Sequence, residues 1–309
     1  ISGTGSLDIA GASGQDETNG CGIMALGELT LQSGSVTTTL GSCELNIGLH
    51  IGGSLLVAGG TFAVKRAGTP QTIGASIGIL SETSPEELNG KSAVHITGGT
   101  VSIEGNELTI AAADVNDSSS TAITAASILV EGGTLTARGG DITVEGTGAE
   151  GDRTAAVIST GIGTEKIVIQ GGTVIVQCGR ITCADEKIQM IQGALSAQGA
   201  ESVDDMLTIS PKAPEAITVK LGADEAGAEA VTGSPFASET VLSSDALKQA
   251  AYFHSEVLAS LILTADQTSL TGGGTVKLTV GGALTSVTDD SAKLTVTCSD
   301  SSIAVTGGP

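Results

Sequence analysis

Three charged residues stand at matching places in a repeated pattern, where they could bind a cation or form ion pairs. Glu107, Asp141 and Arg180 each come directly before a short run of alternating apolar residues. If these runs stack, the two carboxylates lie in one column, and carboxylate oxygens are ligands that calcium prefers. The alternative is a salt-bridge ladder between Asp141 and Arg180 with Glu107 solvated, since most exposed charges are solvated. The pattern leaves both interpretations open.

A second group of carboxylates stands in a long turn, where Asp114 and Asp117 are three residues apart. Their segment has the spacing of a calcium loop but lacks the glycine and distal glutamate of an EF-hand. The candidate metal ligands are therefore Glu107, Asp141, Asp114 and Asp117. The sequence pattern requires no cofactor, and calcium is the one ion that these carboxylates suggest.

The five cysteines include one pair with the spacing of a single repeat. Cys43 follows Cys21 by 22 residues (43−21), and Ile23 then aligns with Leu45. Stacked strands lie about 4.8 Å apart, which is within the Cα separation that a disulfide accepts. The pattern therefore predicts either a Cys21–Cys43 disulfide or two buried thiols in one core column.

The histidines and serines show no catalytic arrangement in the sequence. His50, His95 and His254 are far apart, and each is predicted to lie on the surface. No serine stands in a nucleophile elbow with a histidine and an acid in place. We therefore predict no catalytic residue, no metal cluster of histidines and no enzymatic turnover.

The composition bounds the class of protein and its partners. The chain has 309 residues, 45 of them glycine, and only 1% are aromatic, so small and branched residues must form the core. The formal net charge is −21 with 13 Lys and Arg, and such a surface repels nucleic acid and anionic membranes. No apolar run is long enough for a transmembrane helix, so we expect neither a nucleic-acid partner nor membrane insertion of this segment.

The elements that position these residues are repeats built around a Gly-Gly pair. The pairs begin at Gly59, Gly98, Gly132 and Gly171, and apolar residues alternate with polar ones on both sides of each pair. A unit that recurs at intervals of 20 to 50 residues indicates a solenoid, and period-two alternation indicates strands. Three short strands per coil, with glycine at the turns, predict a parallel β-helix.

Aligning the repeats predicts which side chains share a column of the core. The first inward column comprises Val57, Ile96, Val130 and Ile169. The second comprises Phe62, Val101, Leu135 and Val174. A third strand follows a turn, and there Leu108, Ile142 and Ile181 align.

The repeat pattern ends near residue 200, and the remainder divides into two parts. Residues 201–261 are expected to form a cap or linker, because the end of a solenoid exposes an apolar rung that needs cover. Within it, residues 244–258 are predicted to be either a short helix or part of the cap. Residues 262–309 contain three strand-like runs (275–280, 293–297 and 303–305).

The Gly-Gly-Thr units of residues 1–200 resemble the right-handed parallel β-helices of the pectate-lyase-like superfamily, in particular secreted bacterial carbohydrate-binding and surface proteins. The run from Leu263 to Val280 resembles the opening of a bacterial immunoglobulin-like domain. The expected fold is all-β: a right-handed parallel β-helix over 1–200, a capping region over 201–261 and a partial Ig-like sandwich over 262–309.

Three functions are compatible with this resemblance. The first is a non-catalytic structural or adhesive stalk, or a filament segment, at the extracellular bacterial cell surface. The second is a calcium-dependent polysaccharide-binding module, whose partner would be a cell-surface or plant polysaccharide. The third is a polysaccharide lyase, for which Asp141 with Arg180 is the nearest pair of acid and base. Self-assembly through the β-helix ends or the incomplete Ig-like domain is a further expectation.

Overall fold

The chain is built of β-strands throughout the part that the structure describes. The computed structural model describes residues 1–11, 19–72, 74–111, 118–145, 158–183, 187–198, 207–211, 217–236, 240–242, 252–257, 262–265 and 278–281. Within these ranges there are 26 strands and no helix, so the fold class is all-β, as predicted.

In chain order the strands are β1 (Ser6–Ala10), β2 (Asn19–Ala25), β3 (Leu29–Leu31), β4 (Ser35–Thr39), β5 (Leu45–Ile51), β6 (Leu55–Val57), β7 (Thr61–Lys65), β8 (Ala75–Ser81), β9 (Val94–Ile96), β10 (Thr100–Glu104), β11 (Leu108–Ala111), β12 (Ser119–Val130), β13 (Thr134–Arg138), β14 (Ile142–Glu145), β15 (Ile158–Ile169), β16 (Thr173–Gln177), β17 (Arg180–Cys183), β18 (Lys187–Met190), β19 (Gly193–Gln198), β20 (Leu207–Pro211), β21 (Ile217–Gly222), β22 (Glu229–Ala230), β23 (Thr240–Leu242), β24 (Tyr252–Val257), β25 (Ile262–Ala265) and β26 (Leu278–Gly281).

Two large sheets share these strands. The ten-stranded sheet has the order β1-β4-β7-β10-β13-β16-β19-β24-β21-β22. The twelve-stranded sheet follows the path β2-β5-β8-β12-β15-β18-β20-β23, and β3, β6, β9 and β17 are attached to it. Because neighbours in one sheet are separated in sequence by strands of the other, the chain passes between the sheets in every repeat. This stacking of parallel strands is compatible with a β-helix or another β-solenoid.

The strand register confirms both inward columns. Ile96 pairs with Val57 on one side and Val130 on the other, and Val130 pairs with Ile169. In the ten-stranded sheet, the second column is continuous in the same way, through Phe62, Val101, Leu135 and Val174. All eight side chains are at most 1% exposed. Period-two alternation therefore placed the apolar residues in the core, with polar residues between them facing out.

The second glycine of each pair is required by the close approach of successive turns. Gly99 has φ +78°, and a Cβ on it would lie 2.5 Å from Gly60 O. Gly133 has φ +73°, and its Cβ would lie 2.4 Å from Gly99 O. Any other residue would have a strained backbone at this φ, and its Cβ would collide with the preceding Gly-Gly turn.

The alignment of the third strands is only partly correct. Leu108 pairs with Ile142 in the two-stranded sheet of β11 and β14, as predicted. Ile181 instead pairs with Ile162, because β17 joins β15 in the twelve-stranded sheet. This coil therefore adds its strand to β15, and β14 pairs with β11 in a sheet of two strands.

Both large sheets end in antiparallel strands. β24 pairs antiparallel with β19 and with β21, while β23 pairs antiparallel with β20. Phe253, Ile217 and Val219 on these strands are fully buried, so they extend the apolar core beyond the last parallel rung. For residues 252–257 the helix alternative is wrong, because the segment is a strand in which Phe253 and Ser255 are buried and His254 and Glu256 are half-buried.

The described part of residues 262–309 is a single antiparallel pair. β25 and β26 pair from Ile262 with Gly281 to Ala265 with Leu278. The strand-like runs predicted at 293–297 and 303–305 lie outside the described residues.

Candidate functional site

The two carboxylates of the predicted charge ladder do lie on neighbouring strand ends. Leu108 N donates a hydrogen bond of 2.9 Å to Asp141 O, which places Glu107 beside Asp141. Each carboxylate is paired with an arginine. Arg66 Nη1 donates to Glu107 Oε1, and Arg138 Nη2 donates to Asp141 Oδ2 at 2.7 Å.

Arg180 begins a strand of the twelve-stranded sheet rather than a third strand stacked on β14. It lies at the start of β17, where its register partner is Thr160 of β15. Asp141 forms an ion pair with Arg138, and the predicted Asp141–Arg180 ladder stays a prediction. The polysaccharide lyase hypothesis, which depended on Asp141 with Arg180, likewise stays a prediction.

Two of the four predicted calcium ligands, Glu107 and Asp141, lie among the residues that the structure describes. In those ranges no three His, Cys, Asp or Glu side chains come together in a way that could hold a metal ion. Glu107 and Asp141 contribute two carboxylates, and each already has a guanidinium partner. Asp114 and Asp117 lie outside the described residues, so calcium binding there stays a prediction.

The register also corrects the alignment that suggested a disulfide. Cys21 pairs with Ile47, and Ile23 pairs with Leu49 rather than Leu45. Cys21 is exposed and is a free thiol, whereas Cys43 is 1% exposed in the core. The register step at this point is 26 residues (47−21) rather than 22, so Cys21 and Cys43 do not occupy one column.

Two of the histidines lie on the outer face of the twelve-stranded sheet, each beside a glutamate. His50 Nε2 is 3.2 Å from Glu82 Oε2, and His95 Nε2 is 2.7 Å from Glu131 Oε2. Both imidazoles are partly exposed, as the sequence predicted for surface positions.

The third histidine forms a hydrogen-bonded cluster at the junction between the parallel and the antiparallel strands. His254 on β24 lies directly opposite Ser196 on β19. Ser196 Oγ is 2.5 Å from His254 Nδ1, and His254 Nε2 is 3.4 Å from Glu256 Oε2. The side chains of His254 and Glu256 are 18% and 22% exposed, so the cluster is open to solvent at one side. Ser196, His254 and Glu256 are hereafter the serine–histidine–glutamate cluster.

Two further residues border this cluster. The Tyr252 ring is parallel to the His254 ring, with 6.3 Å between centroids, and its hydroxyl hydrogen-bonds with Ser196. Burial raises the pKa of the Tyr252 phenol. Lys220 on β21 is the register partner of His254 on the side opposite Ser196. Since directly opposed residues project from the same face of a sheet, the cluster and Lys220 share one face.

No such arrangement was expected from the sequence, although the residues on β24 have a recognisable spacing. Tyr252, His254 and Glu256 occupy alternate positions, so on a strand they must share a face. That signal was hidden because the segment was interpreted as a helix or an irregular cap. Ser196 is 58 residues away from His254, and only the antiparallel pairing of β19 with β24 brings them together.

An open cleft of about 370 Å³ is formed by turns that connect strands of the twelve-stranded sheet. Its lining includes Glu28, Glu87, Asn89 and Lys91 together with the apolar Leu88. Glu28 and Lys91 form an ion pair of 2.7 Å in its wall. The hydrogen bond from Lys91, with its charge, lowers the pKa of Glu28.

Among the described residues, no helix has the length and apolar character to cross a membrane. Comparison of the chain with protein-family models, with curated proteins and with solved structures finds no match in any of the three.

Proposed function

We propose that this chain is a structural or adhesive module of an extracellular bacterial surface protein, and that its stacked sheets form a right-handed parallel β-helix of the pectate-lyase-like kind. The observation that carries the proposal is the pair of continuous buried columns. One runs through Ile96 and the other through Val101, and each residue in them is stacked on its counterpart in the next rung.

Such a core suits a load-bearing role. Each rung contacts only its neighbours, so the stability is spread along the stack rather than concentrated at one centre. The rungs of the ten-stranded sheet follow one another at about 4.8 Å, so its ten strands extend over roughly 45 Å. A stalk needs this regular length, and the columns maintain it without a ligand or a metal.

Charge and composition support the extracellular location. A net charge of −21 keeps the chain soluble and well separated from nucleic acid and anionic lipid. In this proposal the buried columns of the parallel ladder have no catalytic role. The antiparallel pair β25–β26 would be the first hairpin of an immunoglobulin-like sandwich, through which copies or neighbouring domains associate.

The proposal is tested on intact cells of the source organism with antibodies raised against this chain. We expect surface labelling, and we expect protease treatment of intact cells to remove it. Negative-stain images of the purified chain should show elongated particles or end-to-end filaments. Labelling only after cell lysis would refute the location, and compact particles would refute the stalk.

A second candidate function is polysaccharide binding, and the open cleft favours it. Two glutamates, an asparagine and a lysine line a volume that is within the range of small-ligand sites. With Glu28, Glu87 and Lys91 in the lining, the local charge is negative, so neutral sugars should bind better than uronates unless calcium bridges them. A glycan array probed with and without a chelator tests both points: binding that chelator abolishes supports the calcium-dependent form, and no binding excludes this function.

A further inference from the structure

We propose that Ser196 is a nucleophile activated by His254 and oriented through Glu256, and that the serine–histidine–glutamate cluster reacts with ester carbonyls by acyl transfer. The inference goes beyond the structural role proposed above and departs from the expectation of a chain without turnover. It concerns the face where the parallel ladder meets the antiparallel strands, so the load-bearing columns are unaffected.

The hydrogen bonds define a proton path from the serine to the imidazole. When Glu256 Oε2 accepts a hydrogen bond from His254 Nε2–H, Nδ1 of the neutral imidazole carries no proton. Nδ1 then accepts the proton of the Ser196 hydroxyl, whose Oγ is 2.5 Å away. The carboxylate thereby selects the tautomer and stabilises the imidazolium that forms after proton transfer. These are the roles of base and orienting acid in serine hydrolases, which are recognised by geometry rather than by sequence position.

The surrounding strands hold the three groups in place. β24 is paired on both sides, with β19 and with β21, so the backbone that carries His254 and Glu256 has little freedom. The stacked Tyr252 ring restricts rotation of the imidazole. A nucleophile and base positioned by regular elements lose little entropy on reaching the reactive geometry.

Stabilisation of the oxyanion must come from a side chain, because the backbone N–H groups of a doubly paired strand are engaged in the ladder. Lys220 is the cationic residue next to His254 in the same row of the sheet face. Its ammonium is our candidate for stabilising the negative charge that develops on the carbonyl oxygen.

The reaction has two balanced steps. Ser196 Oγ forms a bond to the ester carbonyl carbon while its proton moves to His254, and the alkoxide then leaves with that proton as an alcohol. Water next adds to the acyl carbon with His254 again taking a proton, which releases the carboxylic acid and restores the serine hydroxyl. No oxidant, metal or cofactor takes part.

The test uses the whole chain with two probes, a fluorophosphonate and p-nitrophenyl acetate. We expect the fluorophosphonate to label Ser196, identified by peptide mass spectrometry, and p-nitrophenol release to exceed the uncatalysed rate. Ser102 is the internal control, because it stands in the same row of the same face, with Ala63 and Thr136 as register partners instead of a histidine.

The variants separate reactivity from folding. Ser196→Ala and His254→Ala should each lower p-nitrophenol release by roughly 100-fold or more, while Ser102→Ala leaves it unchanged. Glu256→Gln and Lys220→Met should lower it less. Added imidazole should restore activity to His254→Ala, which a purely structural role cannot explain, and thermal unfolding of every variant reports whether it folds. Equal labelling of Ser196 and Ser102, or activity that survives Ser196→Ala, would overturn the proposal.

Discussion

The side-chain amide of Asn106 donates a hydrogen bond of 3.2 Å to Gln71 Oε1, across 35 residues of sequence. Asn46 Nδ2 donates to the same oxygen at 3.1 Å, and Gln71 Nε2 donates to Cys43 O at 2.7 Å. All three amide residues are at most 3% exposed. Gln71 therefore joins polar groups from three coils inside the molecule, where water does not replace a lost partner.

Replacing Gln71 with alanine should destabilise the chain more than an ordinary polar substitution. The change removes the shared acceptor of Asn46 and Asn106 and leaves buried carbonyls with fewer donors, at a cost of about 1–3 kcal/mol. Urea unfolding measures the difference. Gln189→Ala is the matched control, because Gln189 is exposed on β18. An equal loss in the free energy of unfolding for the two variants would mean that the buried amide hydrogen bonds do not stabilise the fold.

Alanine at Gly99 should be strongly destabilising. The left-handed backbone alone costs a side chain about 1–2 kcal/mol, and the new Cβ would also lie 2.5 Å from Gly60 O. Gly27→Ala is the control, since a Cβ there meets nothing within 4 Å. We expect a clearly lower Tm for Gly99→Ala and a Tm near that of the parent for Gly27→Ala. Similar Tm values for both would contradict the stacking of the Gly pairs.

The ion pair of Glu28 with Lys91 should make stability depend on pH in the acid range. The hydrogen bond and charge of Lys91 lower the pKa of Glu28 in the folded chain. The stabilisation is therefore fully present above the pKa that Glu28 has when unfolded, and is lost as pH falls through the lowered, folded pKa. Since the pair is exposed, the effect should be small.

Thermal unfolding at a series of acid pH values measures this contribution. The Lys91→Met variant should lose part of the pH dependence that the parent shows. Lys166→Met on the exposed part of β15 should keep it. If Lys91→Met follows the parent curve throughout, the ion pair has no effect on folding.

Cys21 and Cys43 should differ in reactivity in the folded chain. Cys21 is exposed, so iodoacetamide should alkylate it without denaturant, whereas the buried Cys43 should react only after unfolding. Local burial of its sulfur raises the pKa of Cys21, so labelling should accelerate as pH rises. Mass spectrometry of the alkylated peptides measures both rates. Recovery of a Cys21–Cys43 disulfide from unreduced protein would show that the register of β2 with β5 is different in solution.

The sequence alone determined the repeating part of this molecule. Residues such as Ile96 and Val101 could be assigned to their columns because a strand alternates its faces and a stacked repeat places equivalent residues in register. The Gly-Gly pairs could be assigned to tight turns for the same reason. Both features are local, and the same pattern of residues occurs in each copy of the repeat.

The tertiary structure alone decided the contacts outside that repeat. The hydrogen bond between Ser196 and His254 forms because β24 pairs with β19 in the antiparallel direction. The ion pairs at the turns also depend on the tertiary structure. Glu107 pairs with Arg66, 41 residues away, and Asp141 pairs with Arg138, because the fold brings these side chains together. Such contacts have no period in the sequence, because they arise where the path of the chain departs from the repeat.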